Sequence, residues 1–97
     1  MEMSNTHIFY EDKGVQLGYS IVDNLVFSHA EVYGKFTPSK RKLISGKFEE
    51  LKDTMRGEGY RTIFAWTPSP KFARNVCGTC DYVGTYYGKE LLAWPLD

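Results

Sequence analysis

Apolar and polar residues alternate near the start of the chain, apolar residues recur at helical spacing in its middle, and alternation returns towards its end. His7-Ile8-Phe9-Tyr10 is a short β-prone run, and the polar Glu11-Asp12-Lys13-Gly14 after it suits a hairpin turn. A second strand is predicted over Val15–Val22, with Asp23-Asn24 as the next turn. The third run, residues 25–36, is the longest. A two-residue period puts Val26, Ser28, Ala30, Val32 and Gly34 on one small, apolar face, and Phe27, His29, Glu31, Tyr33 and Lys35 on an amphipathic one.

The period switches at Thr37-Pro38. The Thr37 hydroxyl can cap a helix, and Pro38 suits the first helical position because its missing N–H would have been unpaired there. Ile44, Phe48, Leu51 and Met55 follow at steps of four, three and four, a stripe that must lie on a sheet. The glycines of Gly57-Glu58-Gly59 end that helix. Residues 60–66 are rich in β-branched and aromatic side chains, and Thr67-Pro68-Ser69-Pro70 opens a second helix over about 71–78, with Phe72 and Val76 one turn apart. Strands at 82–87 and 90–94 flank Gly88-Lys89, and Pro95 stands near the end of the last one. The predicted fold is α+β, a mixed and mostly antiparallel sheet with two helices in the order β-β-β-α-β-α-β-β. Its strand-helix-strand crossover requires at least one parallel or splayed pair of neighbours.

With 97 residues there is room for one domain, 1–97, and one modest core. Apolar residues at 42% exclude a disordered chain, and no apolar run approaches the ~18–20 residues of a membrane span. Twelve basic and twelve acidic side chains cancel, so nothing global calls for nucleic acid. Met1-Glu2-Met3-Ser4 carries an acid where a secretory signal carries bases, which predicts an intracellular protein. Cys77 and Cys80 form one C-x-x-C. That spacing fits reduced structural thiols, a redox pair or half a zinc site. The distant His7 and His29 offer no second pair of ligands, and the motif closes a helix where a redox pair should open one, so structural thiols are expected.

The order of elements resembles the C-terminal two-thirds of the GNAT N-acetyltransferase fold over about residues 9–96, without its first strand and two helices. Lys47-Phe48-Glu49-Glu50-Leu51 with Gly59-Tyr60 is similar to the family's long helix and glycine-aromatic exit. Ile63-Phe64-Ala65-Trp66-Thr67 resembles its fifth strand, and Ala73-Arg74-Asn75 with Asp81-Tyr82-Val83-Gly84 its segment ending in glycine-phenylalanine. That family holds coenzyme A pyrophosphate on a glycine-rich turn whose free N–H groups open a helix. Here the turn falls on Ser39-Lys40-Arg41-Lys42-Leu43-Ile44, with no glycine, and its last position is Ile44, which the apolar stripe places in the core. The tyrosine that often protonates the leaving thiolate falls near Cys77. With Lys40-Arg41-Lys42-Leu43-Ile44, the aromatic strand and the Tyr-rich hairpin, the chain resembles more closely the GNAT-like internal virion and head-associated proteins of short-tailed bacteriophages, over about residues 10–92. That resemblance implies a non-catalytic role in assembly or protein interaction, in the host cytoplasm or the virion, with no cofactor. The alternative is a small acetyl-coenzyme A-dependent N-acetyltransferase, acting on a host protein.

Three groups of residues are candidates. Lys35, Lys40, Arg41, Lys42 and Lys47 lie together without an acid, and Lys40, Arg41 and Lys42 fall where a helix start favours anions. A phosphate, an acidic partner or plain solvation would each fit. His29, Glu31 and Tyr33 share a strand face. As an enzyme, the chain would use Glu31 or His29 as the base for the substrate amine, although a half-exposed strand yields such a triplet without chemistry. Tyr86, Tyr87 and Trp94 are the interface candidates, because these residue types combine apolar area with a polar tip. A sheet missing two covering helices predicts a protein partner or self-association. A nucleic-acid partner is disfavoured by the zero net charge, and a membrane by the missing span.

Overall fold

A computed structural model describes residues 6–96, so the reading of Met1-Glu2-Met3-Ser4 lies outside the described residues. The chain forms β1 (Thr6–Glu11), β2 (Val15–Val22), β3 (Leu25–Val32), α1 (Pro38–Gly57), β4 (Thr62–Thr67), α2 (Pro70–Cys77), β5 (Asp81–Tyr86) and β6 (Lys89–Pro95). The strands make one six-stranded sheet in the order β1-β2-β3-β4-β6-β5. The fold is α+β, with every neighbouring pair antiparallel except β3 and β4. Among the described residues no helix is long and apolar enough to cross a membrane.

Both helices lie on one face of the sheet. Ile44, Phe48, Leu51 and Met55 of α1 are each at most 1% exposed, and they meet the inward alternation of the strands: Val15 and Leu17, Val26, Ile63, Leu92 and Trp94. α2 adds Ala73 and Val76. The Thr37 hydroxyl accepts the Lys40 N–H at 3.2 Å and Pro38 opens the helix, as its chemistry predicts. Glu58 caps the other end and Gly59 turns the chain at φ +93°, a left-handed angle that a side chain would resist.

Several details differ from the sequence reading. β3 stops at Val32, short of residue 36, because Gly34 takes φ +72° and the chain turns away towards α1. Ser69 caps α2 without a side-chain bond, while the Thr67 hydroxyl accepts the Ser69 N–H at 2.9 Å. The last hairpin turns at Tyr87-Gly88, one residue earlier than Gly88-Lys89, since Tyr86 pairs with Lys89.

Trp94 requires a correction. Trp66 pairs with Leu91 and Trp94 with Ile63, so the two tryptophans sit on adjacent strands but on opposite faces. Trp94 is 2% exposed, its ring 5.2 Å from that of Phe48, and its indole N–H donates to the Gly78 carbonyl at 3.2 Å. It belongs to the core and is not an interface residue.

Candidate functional site

The basic start of α1 is built into the fold. The Lys40 ammonium folds back to donate to the Tyr33 carbonyl, and to the Lys35 carbonyl at 2.7 Å, while its stem covers Gly14 so closely that a Cβ there would come within 2.9 Å. It fastens the loop that brings β3 into α1. Arg41 spans the gap between the helices and donates to the Asn75 side-chain and main-chain oxygens at 3.1 and 3.3 Å. Lys47 pairs with Glu50 at 3.4 Å and rests 4.7 Å above the Tyr10 ring. Lys42 is exposed, and with Arg41, Ser45 and Gly46 it borders a shallow depression between α1 and α2. The three bases therefore do not converge on one point. A Lys40→Met substitution will lower stability by about 1–2 kcal/mol, because two carbonyls lose a charged donor. Lys42→Ala will stay within ~0.5 kcal/mol of the parent. Urea denaturation followed by circular dichroism separates the two, and equal midpoints would show that Lys40 has no such role.

The second feature lies where β3 and β4 part. Only Val26 with Ile63 and Phe27 with Phe64 are in register, and Ser28 bridges the apex through its hydroxyl, 3.3 Å from the Phe64 carbonyl. Beyond these pairs the two strands share no ladder, and a cleft of about 210 Å3 opens there. Its walls are Ser28 to Ala30 and Ala65 to Thr67, and Phe48, Trp94 and Cys77 line its depth. His29 lies on its wall and over Gly18, where a Cβ would come within 2.6 Å of the imidazole and 2.7 Å of the His7 carbonyl. Glu31 is exposed on the same strand and lies outside the cleft lining, so the structure does not bring the two candidate bases to one point there. Tyr33 turns instead to Glu11, its hydroxyl 3.3 Å from a carboxylate oxygen that also accepts from Gln16 at 2.9 Å. Partial desolvation and the acids Glu11 and Glu31 push that phenol above its usual range.

Cys77 is a free thiol, and burial pushes it up to about 12, with Cys80 beside it adding to the shift. It is held protonated at neutral pH, the opposite of an activated nucleophile. Cys80 is also raised, chiefly by desolvation, with Arg74 working against the shift. Among the described residues no three His, Cys, Asp or Glu side chains stand where they could hold a metal ion.

The third feature is the sheet face turned away from the helices. Phe27 and Phe64 lie across from one another with ring centres 5.6 Å apart. Beside them Trp66 is 45% exposed, its indole N–H donating to the Tyr86 carbonyl at 3.0 Å and its ring lying 4.7 Å beneath the Lys89 ammonium. Phe27, Trp66, Tyr86, Tyr87 and Leu91 bound a wholly apolar groove of about 250 Å3. Tyr86 and Tyr87, named from composition, thus belong to one surface. The residues missed were Phe27, Phe64 and Leu91, which join them only through the register of β3, β4 and β6.

Tyr87 is 94% exposed and holds φ +55° at the hairpin tip. The β2–β3 hairpin fills its equivalent positions with Asp23 and Asn24, at φ 53° and 65°. Asp and Asn tolerate this region, whereas a tyrosine is strained in it. The sequence has placed an aromatic ring in water at a conformational cost, beside an aromatic groove. No protein-family model, no curated protein and no solved structure matches the chain.

Proposed function

We propose that this chain is a non-catalytic protein of GNAT-like architecture that works by docking to another protein surface, in the manner of the internal virion and head-associated proteins of short-tailed phages, in the host cytoplasm or the virion. The observation that carries the reading is the open sheet face, where Phe27, Trp66, Tyr86, Tyr87 and Leu91 form a continuous apolar groove at the surface. The start of α1 supports it. An anion-binding turn needs free main-chain N–H groups, but here Pro38 has none, the Lys40 N–H is taken by the Thr37 hydroxyl and the Arg41 N–H by the Thr37 carbonyl.

A second reading, an acetyl-coenzyme A-dependent N-acetyltransferase, draws on the cleft between β3 and β4, whose facing main-chain edges lack a strand partner beyond Phe27 and Phe64. Under it, an extended thioester arm would lie along β3, Arg41 and Lys42 would meet its phosphates, and His29 would take the amine proton.

Calorimetric titration with acetyl-coenzyme A separates the two. The docking reading expects no binding tighter than ~100 μM. Micromolar binding abolished by Arg41→Ala overturns it in favour of the enzyme.

A further inference from the structure

We infer that the surface this open face docks against is the same face of a second copy of the chain, the two sheets packing through a two-fold axis that runs along the strands between β3 and β4. The inference rests on the docking reading above and deepens it by naming the partner.

Three observations point to this arrangement. The first is the state of the sheet edges. β1 is bulged between Ile8 and Tyr10 and β5 between Tyr82 and Gly84. A bulge on an edge strand discourages strand-to-strand addition, so association falls to the face.

The second is area. Six strands of six to eight residues at ~4.8 Å spacing give a face of roughly 600 Å2. Two copies packed as an aligned sandwich would bury about 1,200 Å2, the lower end of what stable interfaces use, which suits a micromolar dimer.

The third is the distribution of side chains about that axis. In the order β1-β2-β3-β4-β6-β5, a two-fold between the third and fourth strands lays β3 on the partner's β4, β2 on β6 and β1 on β5. Phe27, Phe64 and Trp66 then fall at the centre, where an interface concentrates its aromatic anchors. Lys89, at the start of β6, comes over the start of β2 at Gln16, which is flanked in register by Glu11 and Glu31. The only base among these residues meets the two acids across the two-fold, twice per dimer. The strained Tyr87 lies at the hairpin tip on this face, over the Asp12 to Gly14 turn of the second copy. This face therefore complements itself in shape of charge and in the position of its rings.

Sedimentation equilibrium over roughly 1–200 μM tests it. The parent chain is expected to follow a monomer–dimer equilibrium with a micromolar dissociation constant. Trp66→Ala and Lys89→Glu should each raise that constant at least tenfold with the circular dichroism spectrum unchanged, and Lys89→Glu with Glu31→Lys should return it to within about threefold of the parent. Tyr82→Ser, on the same β5 strand but in register with the buried Leu92 and so on the helix side, should leave it unaltered. A chain monomeric throughout, a dimer indifferent to Trp66→Ala and Lys89→Glu, or a double variant weaker than Lys89→Glu alone would each overturn the inference. None of these touches the docking reading, which stands or falls on the acetyl-coenzyme A titration.

Discussion

Replacing Trp94 with alanine will lower the stability of the chain by about 3–5 kcal/mol, the range for deleting a large buried aromatic side chain. The ring is 2% exposed, packs edge-on to Phe48 and donates to the Gly78 carbonyl just after α2. Its loss opens a void between the sheet and α1 and leaves that carbonyl short of a donor. For a domain of this size the melting temperature should fall by roughly 12–40 °C. Trp94→Phe should cost much less, about 1–2 kcal/mol, because packing is largely kept and the hydrogen bond is lost. Trp66→Ala is the contrast. That side chain is 45% exposed, and its removal should cost no more than about 1–2 kcal/mol in the monomer. Urea denaturation of the three variants gives the ranking, and a Trp94→Ala midpoint close to that of Trp66→Ala would refute the assignment of the two rings to opposite faces.

The two tryptophans also mark where sequence reading reached its limit. The stripe Ile44, Phe48, Leu51 and Met55 announced α1 and its buried side, because helical spacing is a local property of the chain. The alternation along β3 likewise separated its small helix-facing side from its amphipathic outer one. The order of elements followed from these runs, and the crossover required at least one parallel or splayed pair, which β3 and β4 supply. Composition alone made Trp94 look like Tyr86 and Tyr87. What distinguishes it is register, since Trp94 faces Ile63 while Leu91 faces Trp66, and register is fixed by turn positions that shift with a single residue. The turn at Tyr87-Gly88 is such a case. A glycine-lysine turn is the more ordinary choice, and the pairing of Tyr86 with Lys89 puts a tyrosine there instead.

The basic cluster was harder to read for a different reason. Lys40, Arg41 and Lys42 occupy a helix start, and their charges alone suggested an anion. A lysine stem is long enough to reach carbonyls five and seven residues back, and Lys40 does so at Lys35 and Tyr33. Arg41 finds Asn75, thirty-four residues away in sequence. Neither partner has a signature in the chain, because a main-chain carbonyl looks the same at every position and the Asn75 side chain meets Arg41 only once the two helices are packed. The groove was hidden similarly: Phe27, Trp66, Tyr86 and Leu91 are spread over four strands, and only the assembled sheet makes them one surface.

A Cys77→Ala variant will lose stability less steeply than the parent as the pH is raised from about 9 to 11. Burial lifts the Cys77 thiol from its ordinary 9 to about 12, with Cys80 and Glu49 adding and Lys52 opposing. A raised value means that the native chain keeps a proton which the unfolded chain gives up above pH ~9. The contribution is thus fully present below that pH and is lost as the pH climbs towards 12, at up to ~1.4 kcal/mol per unit and of order 2–3 kcal/mol by pH 11. Near pH 7 the alanine variant should be the less stable of the two, by about 1 kcal/mol for the small void beside Phe48 and Trp94. By pH 11 the order should have closed or reversed. Tyrosines and lysines titrate over the same interval, but they are common to both proteins and cancel in the difference. Denaturant midpoints at pH 7, 9, 10 and 11 provide the comparison. A constant gap across the series would mean that Cys77 ionises as easily in the fold as outside it, and that the depth of the cleft is open to water.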